Sequence, residues 1–348
     1  MSENLLVTPH ASPLVAAARR QASTHTPVWF MRQAGRSLPE YRQLREGIEM
    51  LDSCMRPDLV AEITLQPVRR HGVDAAILFS DIVLPLKALG MDIDIKPGIG
   101  PVVAQPVRSR ADVDRIDELT TEHIGFITEA IGLITAELGN TPLIGFAGAP
   151  FTVASYLIEG GPSKNHERTK SFMLSEPDAW HTLLDRLADI STVFLKTQVA
   201  AGASAIQLFD SWAGALSRAT YDEYVAPHSA RILEAIGDEV PKIHFGVGTA
   251  LLLESMAAAG ADVVGIDWRT PLDQATALLG DKYAVQGNLD PAVLFADWPV
   301  IEREVRRILD EAQGAPGYIF NLGHGVLPTT DPDKLTRVVA LVHELTAR

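Results

Sequence analysis

Short runs of consecutive apolar residues recur along the chain and alternate with longer segments whose apolar residues recur every three or four positions. The first pattern is typical of buried strands and the second of amphipathic helices. Buried strands that alternate with helices indicate a parallel sheet covered on its faces. Counted from Val28, the pattern predicts strands at 28–31, 74–80, 143–148, 205–211, 242–248, 262–268, 283–289 and 317–325.

Eight strand–helix units predict an α/β fold, and a closed (β/α)8 barrel, the TIM barrel, fits them better than an open sheet. We expect one barrel domain over residues 1–348, with residues 1–26 as an N-terminal extension. An open doubly wound sheet is the alternative, but it typically has a G-x-G-x-x-G phosphate loop, and the sequence contains none. The helical patterns cover 58–72, 122–138, 178–200, 221–236, 249–259, 271–279, 298–313 and a final segment after Pro332.

Two segments do not follow either pattern. Residues 92–106 are rich in Gly, Pro, Ile and Val without a helical period, which predicts an irregular insertion or a β-hairpin. Residues 159–168 form a polar, Gly-containing loop that is a candidate lid.

The exit of the first strand carries the clearest candidate chemistry. The strand ends at Arg32, and Arg36 follows across a Gly-containing turn. Ser37 and Glu40 have the spacing of a capping box, so we expect a helix to begin at 38–39. Guanidinium groups and free backbone N–H groups at a helix start suit a carboxylate or a phosphate. A lone arginine at such a turn is more often a solvated loop charge, but two arginines around one turn favour an anion site.

Active sites of (β/α)8 barrels lie at the C-terminal ends of the strands. In this sequence those ends carry charged, polar or turn-forming residues, and the beginnings of the strands carry few. In chain order they are Arg32, Asp81, the turn 148–150, Asp210 with Ser211, Gly246 with Gly248, Asp267, Asn288 and His324.

Asp81 directly follows an apolar strand and precedes further apolar residues. A helix N-cap is one interpretation of this position. A carboxylate inside an apolar collar also suits a ligand that is cationic or carries N–H groups, bound where water is excluded. His324 lies between two glycines that let the backbone approach a ligand, although a hydrogen bond to the neighbouring loop explains it equally well. Tyr156 and Ser211 are weaker candidates, and Asp210 is a candidate ion-pair partner for an arginine of the first loop.

The formal net charge of −14 argues against nucleic acid as a partner, because phosphate binding depends on basic surface. Cys54 is the only cysteine, which rules out a disulfide or a thiolate cluster within one chain. We find no apolar run long enough to cross a membrane and no cleavable leader, so we expect a cytoplasmic protein that does not bind membranes. No H-x-H or HExxH spacing is present, and we predict no metal and no cofactor.

Six motifs together resemble the uroporphyrinogen decarboxylase family. They are PVWFMRQAGRSLPEYR at 27–42, LFSDIVLP at 78–85, GFAGAPFTVASYLIEG at 145–160, QLFDSWAG at 207–214, GNLDP at 287–291 and FNLGHGVLP at 320–328. The resemblance implies a single distorted barrel, usually a cytoplasmic homodimer. It implies removal of the four acetate carboxyls of uroporphyrinogen III, without a cofactor, to give coproporphyrinogen III and carbon dioxide in heme or chlorophyll synthesis.

The resemblance also implies roles for individual residues. Arg32 and Arg36, with the turn of Gln33, Ala34 and Gly35 between them, would bind substrate carboxylates. Asp81 would face the pyrrole N–H groups, with Arg32 and Asp81 as the catalytic residues. Tyr156, Ser211 and His324 would complete the pocket.

Two other functions remain open at this point. A corrinoid-linked zinc methyltransferase could use the same barrel, but it typically requires a cysteine ligand, and His244 has none two residues later. A non-catalytic tetrapyrrole-binding protein would keep the arginines but would not need Asp81. Release of carbon dioxide distinguishes it from an enzyme.

Overall fold

Strands and helices alternate through most of the computed structural model, which describes residues 12–348. The strands are β1 (Ala76–Ile77), β2 (Ile93–Lys96), β3 (Gly100–Val103), β4 (Leu143–Gly148), β5 (Ala205–Asp210), β6 (Lys242–Gly246), β7 (Val263–Gly265), β8 (Ala284–Leu289) and β9 (Tyr318–Leu322). The α-helices are α1 (Pro13–Ala18), α2 (Pro39–Leu44), α3 (Met50–Cys54), α4 (Pro57–His71), α5 (Leu84–Ala88), α6 (Arg110–Asp114), α7 (Gly125–Leu138), α8 (Pro150–Glu159), α9 (Glu167–Ser175), α10 (Pro177–Ala201), α11 (Arg218–Tyr224), α12 (Ala226–Ile236), α13 (Leu253–Ala258), α14 (Leu272–Leu279), α15 (Trp298–Glu311) and α16 (Pro332–Thr346).

Seven strands form one curled parallel sheet in the order β1-β4-β5-β6-β7-β8-β9. Each strand therefore pairs with the next one along the chain, apart from β2 and β3, which form a separate antiparallel hairpin. The α/β fold is confirmed, as are the predicted strands from β4 onward and the hairpin within 92–106. No helix in the described part of the chain is long and apolar enough to cross a membrane.

The predicted strand at 28–31 is present only as an extended segment with one bridge, between Val28 and Phe320 of β9. Side chains bind most of its amide groups instead. Val28 N–H donates to the Asp74 carboxylate (2.7 Å), Phe30 N–H to the Gln33 side-chain oxygen (2.9 Å) and Met31 N–H to the Asn321 side-chain oxygen (3.1 Å). The apolar pattern identified a buried extended segment, but it carries no information on which groups supply the hydrogen bonds.

This segment lies between the two edge strands of the sheet. On one side Asp74, just before β1, donates its N–H to the Val28 carbonyl at 2.8 Å. On the other side Phe320 of β9 donates its N–H to the Pro27 carbonyl at 2.9 Å. Both edges are therefore hydrogen-bonded to the chain just before Arg32.

The space enclosed by the sheet is packed by aliphatic and aromatic side chains and crossed by one polar chain. Trp29 Nε1 donates to the Gln286 side-chain oxygen at 3.0 Å, and Gln286 Nε2 donates to the Gln207 oxygen at 2.9 Å. Helix α1, in the predicted N-terminal extension, packs Leu14 and Ala18 into the same core. Residue 317, at the start of β9, must be glycine because a Cβ there would lie 2.1 Å from the Ala17 carbonyl oxygen.

Helix α2 begins at Pro39, as predicted, but the predicted capping box is wrong. Leu38 is the N-cap residue, with extended backbone (φ −83°, ψ 126°), and no side chain caps the helix. The preceding turn is closed by the backbone, because Leu38 N–H donates to the Gly35 carbonyl at 3.0 Å. Ser37 thus lies one residue too early to reach the first turn of the helix.

Candidate active site

The turn after Met31 presents Arg32 at the C-terminal end of the sheet. Arg32 has a left-handed backbone (φ +61°), which is uncommon for a residue other than glycine, and its side chain is exposed. Its aliphatic part lies against Gly325, where a Cβ would be 2.5 Å from Arg32 Cδ. The turn and the loop after β9 therefore fix the position of this guanidinium together.

Gln33 is fully buried and its side chain belongs to the fold. Its Nε2 donates to the Ala75 carbonyl (3.0 Å) while its oxygen accepts from Phe30 N–H. Its backbone N–H donates to the Phe30 carbonyl at 3.0 Å, so the side chain and the N–H both serve the fold, and contact of this residue with substrate stays a prediction. Ala34 and Gly35 are half-buried in the turn.

Arg36 is exposed at the outer end of this turn, and its carbonyl accepts a hydrogen bond from Arg42 Nη1 at 2.7 Å. Its positive charge is among the factors that lower the pKa of Tyr41, although burial raises that pKa overall. The Arg36 guanidinium remains free for a ligand anion, since no side chain among residues 12–348 bonds to it.

Asp81 follows β1 at the same end of the sheet. Burial raises the pKa of its carboxyl, while hydrogen bonds from Val83 and Ile82 and the charge of Arg32 lower it in part. Its Oδ1 accepts the Val83 N–H at 3.0 Å, so the carboxylate also holds the turn before α5. The helix N-cap interpretation of Asp81 is wrong, because Val83 is the N-cap residue of α5 and no side chain caps that helix.

Tyr156 of α8 lies beside this pair. Burial and the Asp81 carboxylate raise the pKa of its phenol to about 12, and the charge of Arg32 lowers it in part. The ring is 4.1 Å, centroid to centroid, from Trp212. Ser211, next to Trp212, is half-buried where β5 ends. Trp212 is not among the residues predicted from the sequence, although an aromatic residue directly after a strand-end Asp-Ser pair is an available signal.

His324 lies across the mouth, with its ring parallel to Trp268 (6.5 Å between centroids, 7° between planes). Burial and the nearby charge of Arg32 lower the pKa of its imidazole to about 4, so the ring is neutral at pH 7. The glycines on either side allow close approach, because a Cβ on Gly323 would lie 2.3 Å from Trp268 N and one on Gly325 would strike Arg32.

Asp210 does not pair with an arginine, so that prediction is wrong. It is fully buried, and its Oδ1 accepts the Thr152 hydroxyl hydrogen at 2.8 Å. Its other oxygen is buried with no partner among residues 12–348. Burial raises the pKa of this carboxyl to about 7, against only partial compensation by Thr152.

The other polar residues at the strand ends bond to one another at the sides of the mouth, the opening at the C-terminal end of the sheet. Asp267 is buried and accepts the Gly248 N–H at 2.6 Å and Arg269 Nη1 at 2.7 Å. Asn288 donates to the Asp267 carbonyl at 2.9 Å. The guanidinium of Arg269 lies 3.9 Å from the centre of the Trp268 ring, and its charge helps to lower the pKa of His324. Arg269 was missed from the sequence, although it follows directly on a strand-end Asp-Trp pair.

His244 is not in the mouth. It is fully buried, burial lowers its pKa to about 4, and its Nδ1 donates to the Met256 carbonyl at 3.2 Å. Within the described residues, the one group of three ligating side chains that could hold a metal ion is His25, Asp74 and His343, which lies at the other end of β1.

The charge of Arg32 acts on Asp81, Tyr156 and His324 alike. These four residues, contributed by four separate segments, therefore share one site. A cation at the rim and a carboxylate in an apolar wall suit a ligand that carries both carboxylates and N–H groups. Arg36 and Ser211 flank this group on the first turn and at the end of β5.

Known proteins match this chain over nearly its whole length. The family model for uroporphyrinogen decarboxylase (URO-D) matches residues 9–345. The uroporphyrinogen decarboxylase of Salinispora tropica is 65% identical over 341 residues, which cover 98% of this chain and 92% of that protein. That of Saccharopolyspora erythraea is 63% identical, with 100% of both chains covered.

Solved structures match at much lower identity. A methyltransferase from Methanosarcina mazei superposes with a TM-score of 0.82 at 18% identity, covering 96% of this chain and 98% of that one. A B12-independent methionine synthase from Shewanella sp. W3-18-1 gives a TM-score of 0.54 at 15% identity, covering 83% and 88%. At such identities these structures show a shared fold, whereas the full-length relatives share the sequence itself. The chain belongs to the uroporphyrinogen decarboxylase family.

Proposed function

We propose that this chain removes the four acetate carboxyls of uroporphyrinogen III as carbon dioxide and leaves methyl groups, giving coproporphyrinogen III for tetrapyrrole synthesis. The observation that carries the proposal is the shared site of Arg32 and Asp81 at the C-terminal end of the sheet, in a chain of this family. The reaction makes the chain a carboxy-lyase.

The arginines of the first turn would bind the substrate's carboxylates. The substrate carries eight carboxylates, and the chain has a net charge of −14, so binding must depend on local cations. Arg36 is exposed and free to form a two-pronged ion pair, and Arg32 projects over the mouth. We assign Arg32 an anchoring role, because the high pKa of a guanidinium makes proton donation costly.

Asp81 would stabilise the charge that develops during the reaction. When an acetate arm loses carbon dioxide, the electron pair of the broken C–C bond needs an acceptor, and a pyrrole protonated on carbon is one. The arm then gains a proton to become a methyl group, and the ring loses its added proton. A fixed carboxylate in an apolar wall can bind the pyrrole N–H groups and stabilise the cation. This chemistry needs no cofactor.

The remaining residues would shape the pocket. The neutral His324 ring on Trp268, the Tyr156 ring on Trp212 and the Ser211 hydroxyl would surround the macrocycle with flat apolar faces and a few polar groups. The backbone of Gln33, Ala34 and Gly35 would lie along a bound carboxylate.

We extend the proposal to the architecture. The segment at 28–31 would serve as the eighth strand and close a distorted (β/α)8 barrel, because it bonds to both edge strands. The chain would form one barrel domain, act in the cytoplasm and assemble as a homodimer. Sedimentation analysis of the purified protein tests the assembly.

The test of function is anaerobic incubation with uroporphyrinogen, after which the carboxyls of the oxidised product are counted. Loss of four carboxyls with release of carbon dioxide supports the proposal. Tight binding without release would indicate a tetrapyrrole-binding protein. The same assay after treatment with a chelator and dialysis, at a temperature where the zinc-free chain is still folded, should give an unchanged rate. Loss of activity in the folded chain that zinc restores would favour a corrinoid-linked zinc methyltransferase.

A further inference from the structure

Three metal-ligating side chains that the proposed reaction does not use converge at the N-terminal end of the sheet. Asp74 lies just before β1, His25 precedes the segment at 28–31, and His343 lies in α16. One ligand atom of each lies within 4.8 Å of the other two. Asp81 follows β1 at the opposite end, up to about 23 Å away at about 3.3 Å per extended residue.

The two imidazoles face one carboxylate through the same ring nitrogen. His25 Nε2 lies 2.8 Å from Asp74 Oδ1, and His343 Nε2 lies 2.7 Å from Asp74 Oδ2. The ring centroids are only 4.4 Å apart. Side-chain exposures of 23%, 11% and 32% for His25, Asp74 and His343 leave one side of the group open to solvent. The arrangement therefore has three donor atoms around one point and an open fourth direction.

The charge and the surroundings of the group favour a cation. The Asp74 carboxylate also accepts the Val28 N–H at 2.7 Å, which holds it in position beside the two imidazoles. The Thr24 hydroxyl lies 3.0 Å from His25 Nδ1 and can accept a hydrogen bond from that nitrogen. Such an outer contact orients a ligating imidazole and fixes which nitrogen carries the proton.

We propose that His25, Asp74 and His343 bind a zinc ion at the end of the sheet opposite the active site. Two imidazoles, one carboxylate and one water make a four-coordinate set that Zn²⁺ accepts. The Nε2 protons now directed at Asp74 would move to Nδ1, and His25 Nδ1–H would donate to the Thr24 oxygen. Donor atoms about 2.0–2.2 Å from the ion would spread by roughly 0.5 Å from their present separations.

The ion would join three distant parts of the chain. Its ligands come from the chain before 28–31, the chain before β1 and the C-terminal helix α16. No spacing in the sequence predicts such a site, because residues 25, 74 and 343 come together only in the folded chain. Its effect would be on stability, since a ligand that binds only the folded chain stabilises it.

The competing explanation is a hydrogen-bonded triad without a metal ion, in which both histidines donate to Asp74. The test uses chelated, dialysed protein and Zn²⁺ alone, with binding measured by equilibrium dialysis and thermal unfolding. We expect one ion per chain and a rise in Tm, with affinity reduced at least about 10-fold in both His25→Gln and His343→Gln. Glutamine keeps a hydrogen-bonding group beside Asp74, and unfolding without zinc shows whether each variant folds.

The matched control is His123→Gln, which removes one exposed histidine outside the group. It should bind zinc as the unchanged chain does. A second control, His181→Gln, removes a histidine that lies 2.9 Å from His228 in a separate cluster. Co²⁺ in place of Zn²⁺ should give the visible absorption of a four-coordinate ion. Absence of stoichiometric binding, or binding that survives both test variants or is lost in His181→Gln, would overturn the proposal.

Discussion

The aliphatic part of Arg32 occupies the space that a side chain on Gly325 would need. A Cβ on Gly325 would lie 2.5 Å from Cδ and 2.7 Å from Cγ of Arg32. The two residues are 293 positions apart, and their contact joins the turn at the first segment to the loop after β9. The position of the guanidinium therefore depends on the absence of a methyl group at residue 325.

Gly325→Ala should displace Arg32 and lower kcat/KM by about 10²-fold, the cost typical of misplacing one catalytic group by about 1 Å. The fold should survive, because residue 325 has no left-handed backbone that only glycine adopts easily. Steady-state kinetics and thermal unfolding measure the two effects. Gly314→Ala is the control, since a Cβ there meets no atom within 4 Å. Normal kinetics in Gly325→Ala would mean that the position of Arg32 does not matter.

Asp81 should act mainly through its charge. Asp81→Asn keeps the size but removes the charge, and turnover should fall by about 10²–10³-fold, as for loss of one preorganised electrostatic partner. Asp81→Glu keeps the charge and should retain part of the rate. Product binding to the Asn variant should fall less than turnover, because the cation exists only along the reaction path. An active Asn variant beside an inactive Glu variant would show that shape, not charge, is what Asp81 supplies.

Arg36→Lys keeps the positive charge but loses the planar fork that binds a carboxylate through two hydrogen bonds. We expect substrate binding to weaken by roughly 1–3 kcal/mol with the fold intact. Titration with product and KM measure the change. Arg303→Lys, on the exposed face of α15, is the control and should bind product with the wild-type affinity. Wild-type binding by Arg36→Lys would place this residue outside the substrate's reach.

Asp210 should make stability depend on pH. Its pKa is about 7 in the folded chain against about 3.9 in an unfolded one, so between these values only the folded chain keeps the proton. The contribution of Asp210 is therefore fully present below about pH 4 and is lost as pH rises to about 7. Asp210→Asn cannot ionise. Relative to the unchanged chain, its free energy of unfolding should rise across this window by up to about 4 kcal/mol.

Urea unfolding of both chains at several pH values measures this difference. Other groups titrate in both chains and cancel. The nearby Tyr221, whose pKa burial raises well above its usual value, stays protonated throughout. A difference that is constant with pH would show that Asp210 is already ionised under these conditions.

The strands from β4 onward could be predicted because they are buried on both faces and read as unbroken apolar runs. The end of each run located Arg32, Asp81, Ser211 and His324 at one edge of the sheet. Periodicity alone was sufficient for this part of the fold. The role of α1 was not predictable, because six residues of Pro-Leu-Val-Ala-Ala-Ala do not indicate what they will pack against.

Side-chain pairing was the part that sequence could not supply. The sequence predicts an arginine as the partner of Asp210, but the partner is Thr152, which lies in α8 after the neighbouring strand β4. Ser37 has the spacing of a cap, but one residue of backbone turn separates it from the helix. Gln33 lies between two arginines and faces the opposite way, into the fold. Each outcome depends on a difference of one residue or one side-chain direction, which apolar periodicity does not record.

The hydrogen bonds that position the segment before Arg32 affect how this site can evolve. A strand in a continuous ladder can move only by whole registers, and a slip of one residue reverses every side chain. The chain before Arg32 has backbone hydrogen bonds to both edge strands, but three of its amide groups are bound by the side chains of Asp74, Gln33 and Asn321. A substitution at one of these side chains can therefore shift this segment without changing the register of the paired strands. The arginine turn is thus a part of the site that point substitutions can readjust for new anionic substrates without rebuilding the sheet.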